Sequence, residues 1–172
     1  MLSRGKNIIL IGMPGAGKST IGVLLAKRLS RDFIDTDLVI QQRYGMPLQE
    51  IVDTHGYRRL REYEEETILS LQPTGPVIAT GGSAVYSEPA MRHLQKNGSV
   101  VFLRVTEATL LLRIDDFESR GIAKAASQSF DELFSERKHL YEKYGELVID
   151  CDGKCQEEIL REIIGALSAA TA

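Results

Sequence analysis

The stretch Gly12-Met-Pro-Gly-Ala-Gly-Lys-Ser-Thr20 decides how the rest of the chain is interpreted. It follows the apolar run Asn7 to Ile11 and fits the pattern G-x-x-x-x-G-K-[ST]. Small residues let such a loop turn its backbone N–H groups inward, and a helix that follows it points its positive end at the same place. The stretch therefore predicts a strand, a nucleotide-phosphate loop and a helix, in that order.

The loop supplies most of the nucleotide contacts that we predict. The residues assigned to them are Gly15, Ala16, Gly17, Lys18, Ser19 and Thr20. Lys18 can reach the outer phosphates and is also a catalytic candidate, and the Ser19 hydroxyl can ligate Mg²⁺. Glycine-rich turns of other kinds are common, but the preceding strand, the following helix and the Lys-Ser pair favour a phosphate loop.

Composition and charge limit the class of protein. The 172 residues fit one domain, residues 1–172, and 43% hydrophobic with 26% charged residues is ordinary for a globular chain. A net charge of −3 gives no basic footprint for nucleic acid. No apolar run is long enough to span a bilayer, and Met1 to Lys6 contains no secretory h-region. We expect a cytoplasmic monomer with neither a nucleic-acid nor a membrane partner.

Apolar runs alternate with helical patterns along the whole chain. Strands are predicted at 7–11, 33–35, 77–79, 100–103 and 147–149. This alternation predicts an α/β fold with a five-stranded parallel sheet covered by helices on both faces. A helical, substrate-binding region is predicted over about 37–72, broken at Gly45-Met-Pro47 and at Gly56. Polar and small residues dominate 115–129, which is typical of a mobile lid or of an ordinary surface loop.

Three distinctive sequences follow the first three strands. They are the phosphate loop, Asp35-Thr-Asp37 and Gly81-Gly82. Ligands of parallel α/β sheets gather at the carboxyl ends of the strands, so the three sequences predict one shared site.

Asp35 and Asp37 can serve two purposes at that site. Side chains alternate along an extended segment, so both carboxylates are expected on the same side. Asp35 could hold a water bound to Mg²⁺, and Asp37 could orient a substrate hydroxyl or accept its proton. The alternative is that Asp37 only caps the next helix.

Glycines and arginines provide further candidates. Gly81 and Gly82 could let main-chain N–H groups contact a substrate, or could form a plain turn. Arg61 borders an apolar helical stripe and, like Arg137, has forked donors that suit a carboxylate or a phosphate. Arg113 and Arg120 flank the predicted lid, where an arginine can neutralise charge on a transferred phosphoryl group. For each arginine the alternative is an ordinary surface position.

The order of these motifs resembles the shikimate kinase family over nearly the whole chain. The matching sequences are the phosphate loop, Phe33-Ile-Asp-Thr-Asp37, a helix with Arg61 and Glu64, Thr80-Gly81-Gly82, Glu136-Arg137-x-x-Leu-Tyr141 and Val148-Ile-Asp150. The resemblance implies a three-layer P-loop kinase fold of the nucleoside-monophosphate-kinase type, with strand order 2-3-1-4-5 and a lid. It also implies transfer of the ATP γ-phosphoryl group to the 3-hydroxyl of shikimate, with Mg²⁺, in aromatic amino acid biosynthesis.

The same resemblance implies a role for each candidate residue. Asp37 would contact the hydroxyls of shikimate, Arg61 and Arg137 its carboxylate, and the Gly81-Gly82 turn would line the same pocket. Arg120 would be the catalytic lid arginine, and Arg113 would lie near the adenine. Ser19 and Asp35 remain the predicted metal partners.

Two positions depart from the family pattern. Ser83 stands where a third glycine is usual, and the lid reads Arg120-Gly-Ile-Ala where Arg-Pro-Leu-Leu or a similar sequence is usual. Glycine frees φ where proline would fix it, so a looser lid or weaker acceptor binding is expected. The departures leave two alternatives open: a related kinase acting on another small hydroxylated metabolite, and a nucleotide-binding module without catalysis.

Overall fold

The computed structural model describes residues 5–113 and 121–170. Within these residues five strands form one sheet in the order β2-β3-β1-β4-β5, and each neighbouring pair is parallel. The strands are β1 (Asn7–Ile11), β2 (Phe33–Asp35), β3 (Val77–Ala79), β4 (Gly98–Arg104) and β5 (Leu147–Asp150). The predicted fold class and strand order are confirmed.

Helices separate successive strands. The described helices are α1 (Lys18–Leu29), α2 (Thr36–Tyr44), α3 (Leu48–His55), α4 (Tyr57–Ser70), α5 (Glu88–Asn97), α6 (Glu107–Arg113), α7 (Phe130–Tyr144) and α8 (Gln156–Ala169). The predicted breaks between α2, α3 and α4 occur at Gly45 and Gly56, which have φ of 69° and 83°. Those left-handed conformations favour glycine, which explains why the helices end there.

The strand order fixes where the site can form. From β1 the chain crosses in one direction to β2, whereas from β3 it crosses in the opposite direction to β4. Because such crossovers are right-handed, α1 lies on the opposite face from α5. α8 packs against α1 and so covers the same face. The reversal leaves a crevice at the carboxyl ends of β1 and β3, where the phosphate loop and Gly81-Gly82 begin.

Two apolar clusters hold the elements in place. The larger one surrounds the sheet, and all five residues of β1 are buried within the fold. The smaller one contains Ile40, Ile51, Leu60, Tyr63 and Ala123. It packs α2, α3 and α4 against each other and against a residue of the predicted lid, so these helices carry their polar side chains to the crevice as a unit.

Across residues 5–113 and 121–170, no helix combines the length and the apolar character that crossing a membrane requires.

Candidate active site

A cavity of about 510 Å³ opens at the carboxyl ends of β1 and β3. Its lining joins the phosphate loop, the helical region, the turn after β3 and the predicted lid. Its lining includes Gly15, Gly17, Lys18, Ser19, Thr20, Asp37, Leu48, Glu64, Gly82, Ser83, Arg113, Gly121, Ile122, Ala123 and Arg137. The three predicted sequences therefore do meet at one site.

The phosphate loop requires glycine at fixed places. Gly12 has φ of 151°, and a Cβ there would lie 2.8 Å from the carbonyl oxygen of Leu103. Gly17 has φ of 93° and immediately precedes α1. Ala16 is buried and does not line the cavity, unlike the other five predicted nucleotide residues of the loop. The loop and the first turn of α1 thus form one wall of the cavity.

Lys18 is held by the loop itself. Its side chain is largely buried, and Nζ donates to the carbonyl oxygens of Gly12 at 2.7 Å and of Met13 at 2.9 Å. Burial lowers the pKa of this ammonium group to about 8, although the nearby Asp37 carboxylate opposes the shift. Two neutral carbonyls are weaker partners for an ammonium than phosphate oxygens, so an incoming nucleotide can recruit Nζ.

Ser19 and Asp35 are in direct contact. The Ser19 Oγ donates to the Asp35 Oδ2 at 2.6 Å, beside the phosphate loop. A hydroxyl and a carboxylate are hard oxygen ligands of the kind that Mg²⁺ takes together with nucleotide phosphates and water. Among the described residues no cluster of three or more His, Cys, Asp or Glu side chains could hold a metal on its own. The donor set therefore fits a nucleotide-bound Mg²⁺ rather than a permanent metal centre.

Asp37 reaches the cavity by a different route from the predicted one. The prediction that Asp35 and Asp37 lie on one extended segment is wrong, because Asp37 lies in the first turn of α2. Asp35 is the residue that caps this helix, and its Oδ1 accepts the Asp37 N–H at 3.0 Å. Withdrawal from bulk water, with the neighbouring Asp35 charge, raises the pKa of the Asp37 carboxyl to about 6. A carboxylate of that pKa can accept a proton at neutral pH.

Glu64 also lines the cavity. It is among the residues that carry the family resemblance, but the sequence predicts no role for it. It is only 3% exposed, and its Oε2 has no hydrogen-bond partner among the residues that the structure describes. The Ser83 N–H bonds its carboxyl group. Burial, followed by the Asp37 charge, raises the pKa of Glu64 to about 8. Glu64 follows Arg61 by three residues and so lies on the same side of α4, and this spacing could have predicted that it faces the site.

The turn after β3 packs closely under these carboxyl groups. A Cβ on Gly81 would overlap Glu64 Oε1 and lie 2.6 Å from Asp37 Oδ1. The Gly81 N–H donates to Thr36 Oγ1 at 3.0 Å, so within the fold it is used to hold α2 rather than aimed freely at the cavity. Ser83, at φ of −98°, needs no glycine, which explains why serine is accommodated there.

The two arginines of the site share one acceptor. Arg137 is almost fully buried, and its Nη2 donates to the carbonyl oxygen of Ala123 at 2.9 Å. Arg61 donates to the same oxygen at 3.1 Å, and its guanidinium lies 3.6 Å from the centre of the Tyr86 ring. Neither the Ala123 carbonyl nor Tyr86 was expected from the sequence.

Arg61 and Arg137 nevertheless face different spaces. Arg137 lines the cavity described above, whereas Arg61 lines a neighbouring one of about 560 Å³ together with Tyr57, Ser127 and Glu136. The Nε of Arg61 is buried without a partner among the described residues. The arginine pair therefore sits at the boundary of the two cavities, with Ala123 between them.

The predicted lid is only partly described. Arg120 and the rest of 115–120 lie outside the described residues. Of the described part, Gly121, Ile122 and Ala123 line the cavity. Arg113, at the end of α6, also lines the cavity.

Comparison with known proteins identifies the family. The family model for shikimate kinase matches residues 14–168, which include most of the phosphate loop, the helical region and Arg137. The chain belongs to the shikimate kinase family. It is therefore a phosphotransferase of the P-loop kinase fold, as the resemblance implied.

Individual shikimate kinases match this chain along almost its full length. A shikimate kinase of Thermodesulfovibrio yellowstonii is 38% identical over 162 residues, covering 92% of this chain and 93% of that protein. A shikimate kinase of Moorella thermoacetica is 36% identical over 164 residues and covers 95% of both chains. Among solved structures, shikimate kinase from Acinetobacter baumannii in complex with shikimate superposes with a TM-score of 0.88 at 27% identity, over 96% of this chain and 94% of that one.

Proposed function

We propose that this protein transfers the γ-phosphoryl group of ATP to the 3-hydroxyl of shikimate. The observation that carries the proposal is that Lys18 and Asp37 line one cavity and interact electrostatically across it. One is a phosphate cation and the other a carboxylate with a pKa of about 6. Together they form the two ends of a site for in-line phosphoryl transfer: a nucleotide end at Lys18 and an acceptor end at Asp37.

The nucleotide end is formed by the loop and α1. Gly15, Gly17, Ser19 and Thr20 provide backbone N–H groups and hydroxyls around the phosphates, and the N-terminus of α1 adds its positive end. Lys18 exchanges the carbonyls of Gly12 and Met13 for phosphate oxygens. In this assignment Arg113 lies beside the adenine, and Arg120 neutralises charge on the phosphoryl group.

The acceptor end is formed by Asp37, Gly82 and the arginine pair. Asp37 holds the 3-hydroxyl and takes its proton as the oxygen bonds to the γ-phosphorus, while the bond from that phosphorus to the bridging oxygen breaks and ADP leaves. Arg137, with Arg61 beside it, binds the carboxylate of the acid through forked donors. The unpartnered Glu64 Oε2, on a residue that lines the same cavity as Asp37 and Arg137, supports a polar ligand in this position.

Ser19 and Asp35 would hold Mg²⁺ together with the phosphates, directly or through water. When bound, Mg²⁺ would supply positive charge that neutralises the negative charge developing on the phosphates during transfer.

A coupled ADP-release assay with ATP and Mg²⁺ tests the proposal. We expect release that depends on shikimate and exceeds the water background, and that is lost in Asp37→Asn while calorimetry still detects ATP binding. The acceptor panel should include other hydroxylated acids and polyols, because Ser83 differs from the usual glycine. Turnover of another acceptor without turnover of shikimate would replace the proposed substrate, and ATP binding without transfer to any acceptor would reject catalysis.

A further inference from the structure

Gln49 of α3 connects the lid to the helical region. Its Oε1 accepts the backbone N–H of Gly121 at 2.7 Å, and its Nε2 donates to Asp53 Oδ1 at 2.8 Å. The backbone N–H requires an acceptor and the carboxylate requires a donor, so only one orientation of the Gln49 amide satisfies both. Asp53, one turn further along α3, therefore turns the amide oxygen of Gln49 towards the lid.

Gly121 is adapted to this contact. Its φ is 61°, and a Cβ there would lie 2.5 Å from Leu48 Cβ and 2.6 Å from Gln49 N. Any other L-residue would be strained at this φ and would collide with α3, and a proline could not donate the hydrogen bond at all. The glycine that departs from the family pattern is thus the residue that brings the lid backbone against Gln49.

The contact fixes the segment that meets the arginine pair. Ala123 lies two residues after Gly121, is 3% exposed and belongs to the apolar cluster formed by α2, α3 and α4. Its carbonyl oxygen accepts from both Arg61 and Arg137. A shift of Gly121 would move that oxygen, and with it the acceptor that holds the two guanidinium groups in place.

We propose that Gln49 is a positioning residue, which acts through the lid backbone on the arginines that bind the acid. We call the hydrogen bond from Gly121 N–H to Gln49 Oε1 the latch. The latch holds residues 121–123 against α3. Its effect on the acceptor rests on the proposed function, whereas its effect on the lid does not.

Hydrogen exchange of the ligand-free protein tests the latch directly. Gln49→Met keeps the size of the side chain but removes the acceptor, and we expect faster exchange in peptides that cover 121–128. Gln49→Glu places a second carboxylate against Asp53 and should have the same effect. Asp53→Asn alone should change little, since an asparagine oxygen still accepts from Gln49 Nε2.

The double variant Gln49→Glu/Asp53→Asn provides a rescue. The introduced asparagine amide can donate to the introduced glutamate, which leaves a carboxylate oxygen for Gly121 N–H, so exchange should return towards the parent rate. Gln42→Glu, on an exposed position of α2, is the matched control for the added charge. Unchanged exchange in Gln49→Met and Gln49→Glu would overturn the latch, and so would failure of the double variant to slow exchange.

Steady-state kinetics tests the positioning role. Loss of one neutral hydrogen bond corresponds to about a 2- to 10-fold change, and we expect a rise of that size in KM for shikimate, with KM for ATP unchanged. The double variant should recover KM as well as exchange. Faster exchange with an unchanged KM for shikimate would overturn the positioning role. Absence of shikimate turnover in the parent protein would reject the proposed function, and the exchange results would still decide the latch.

Discussion

Lys18 is the single residue on which the nucleotide end depends. We expect Lys18→Met to reduce kcat by roughly 10²–10³-fold, the usual loss when one charge-stabilising group is removed from a transition state. The coupled ADP assay measures this, with Lys27→Met on the exposed side of α1 as the control. Turnover of Lys18→Met within a few-fold of the parent protein would contradict the assignment.

Asp37 should give the reaction its acidic pH limit. Burial and Asp35 raise the pKa of this carboxyl to about 6, and only the ionised form can accept the proton of the hydroxyl. We therefore expect kcat/KM for shikimate to increase with pH and to reach half its plateau near pH 6. An initial-rate series from about pH 5 to about pH 7.5 with saturating ATP measures the profile, and a flat profile over that range would exclude Asp37 as the base.

At the scale of elements, the turn after β3 sets the space available to the acceptor. Gly81→Ala would push its Cβ into Glu64 Oε1 and against Asp37 Oδ1. We expect a marked rise in KM for shikimate with little change in KM for ATP, because the phosphate loop is not touched. Gly165→Ala, on α8 where a Cβ meets open space, is the matched control and should behave like the parent protein.

Elements could be predicted from the sequence where local pattern and chain order determine them. The apolar runs and the glycine breaks led to a five-stranded parallel sheet and to separate helices α2, α3 and α4, whereas the family resemblance implied strand order 2-3-1-4-5. The structure confirms all three. The conformation of Asp35-Thr-Asp37 was predicted wrongly. The sequence pattern favours an extended segment, but Asp35 caps α2 by accepting the Asp37 N–H, so the helix begins at Thr36. The roles assigned to Lys18, Asp37 and the arginines stay predictions.

Contacts made by backbone atoms could not be predicted. The Ala123 carbonyl accepts from both Arg61 and Arg137, but an alanine in the sequence does not indicate such a contact. A glycine likewise does not indicate that the Gly121 N–H donates to Gln49. Both depend on how the lid packs over α3, which is a tertiary arrangement. The burial of Glu64 likewise follows from packing, since most charged residues of α4 are exposed or only half-buried.

At the scale of the whole molecule, the buried Glu64 should make stability depend on pH. Its pKa rises from an ordinary value of 4.5 to about 8 on folding, so the folded state binds the proton more tightly than the unfolded state. The resulting stabilisation is complete below pH 4.5 and is lost as the pH rises through 8. Glu64→Gln, which mimics the protonated group, should be more stable than the parent protein at high pH.

Chemical unfolding between about pH 5 and about pH 9 measures this difference. We expect the advantage of Glu64→Gln in free energy of unfolding to grow with pH to about 1–3 kcal/mol near pH 9. Glu62→Gln, on the exposed side of the same helix, should show no such growth. A difference between Glu64→Gln and the parent protein that stays constant with pH would contradict the assigned pKa.

The central claim is that one cavity presents the 3-hydroxyl of shikimate to the γ-phosphate of ATP. Phosphorus NMR of a reaction with ATP, Mg²⁺ and shikimate tests it most directly, because the spectrum identifies the product as well as its amount. We predict a phosphate monoester coupled to the proton on carbon 3, formed in step with ADP and absent with Asp37→Asn. Inorganic phosphate as the only product beside ADP, or an ester at another position, would contradict the account.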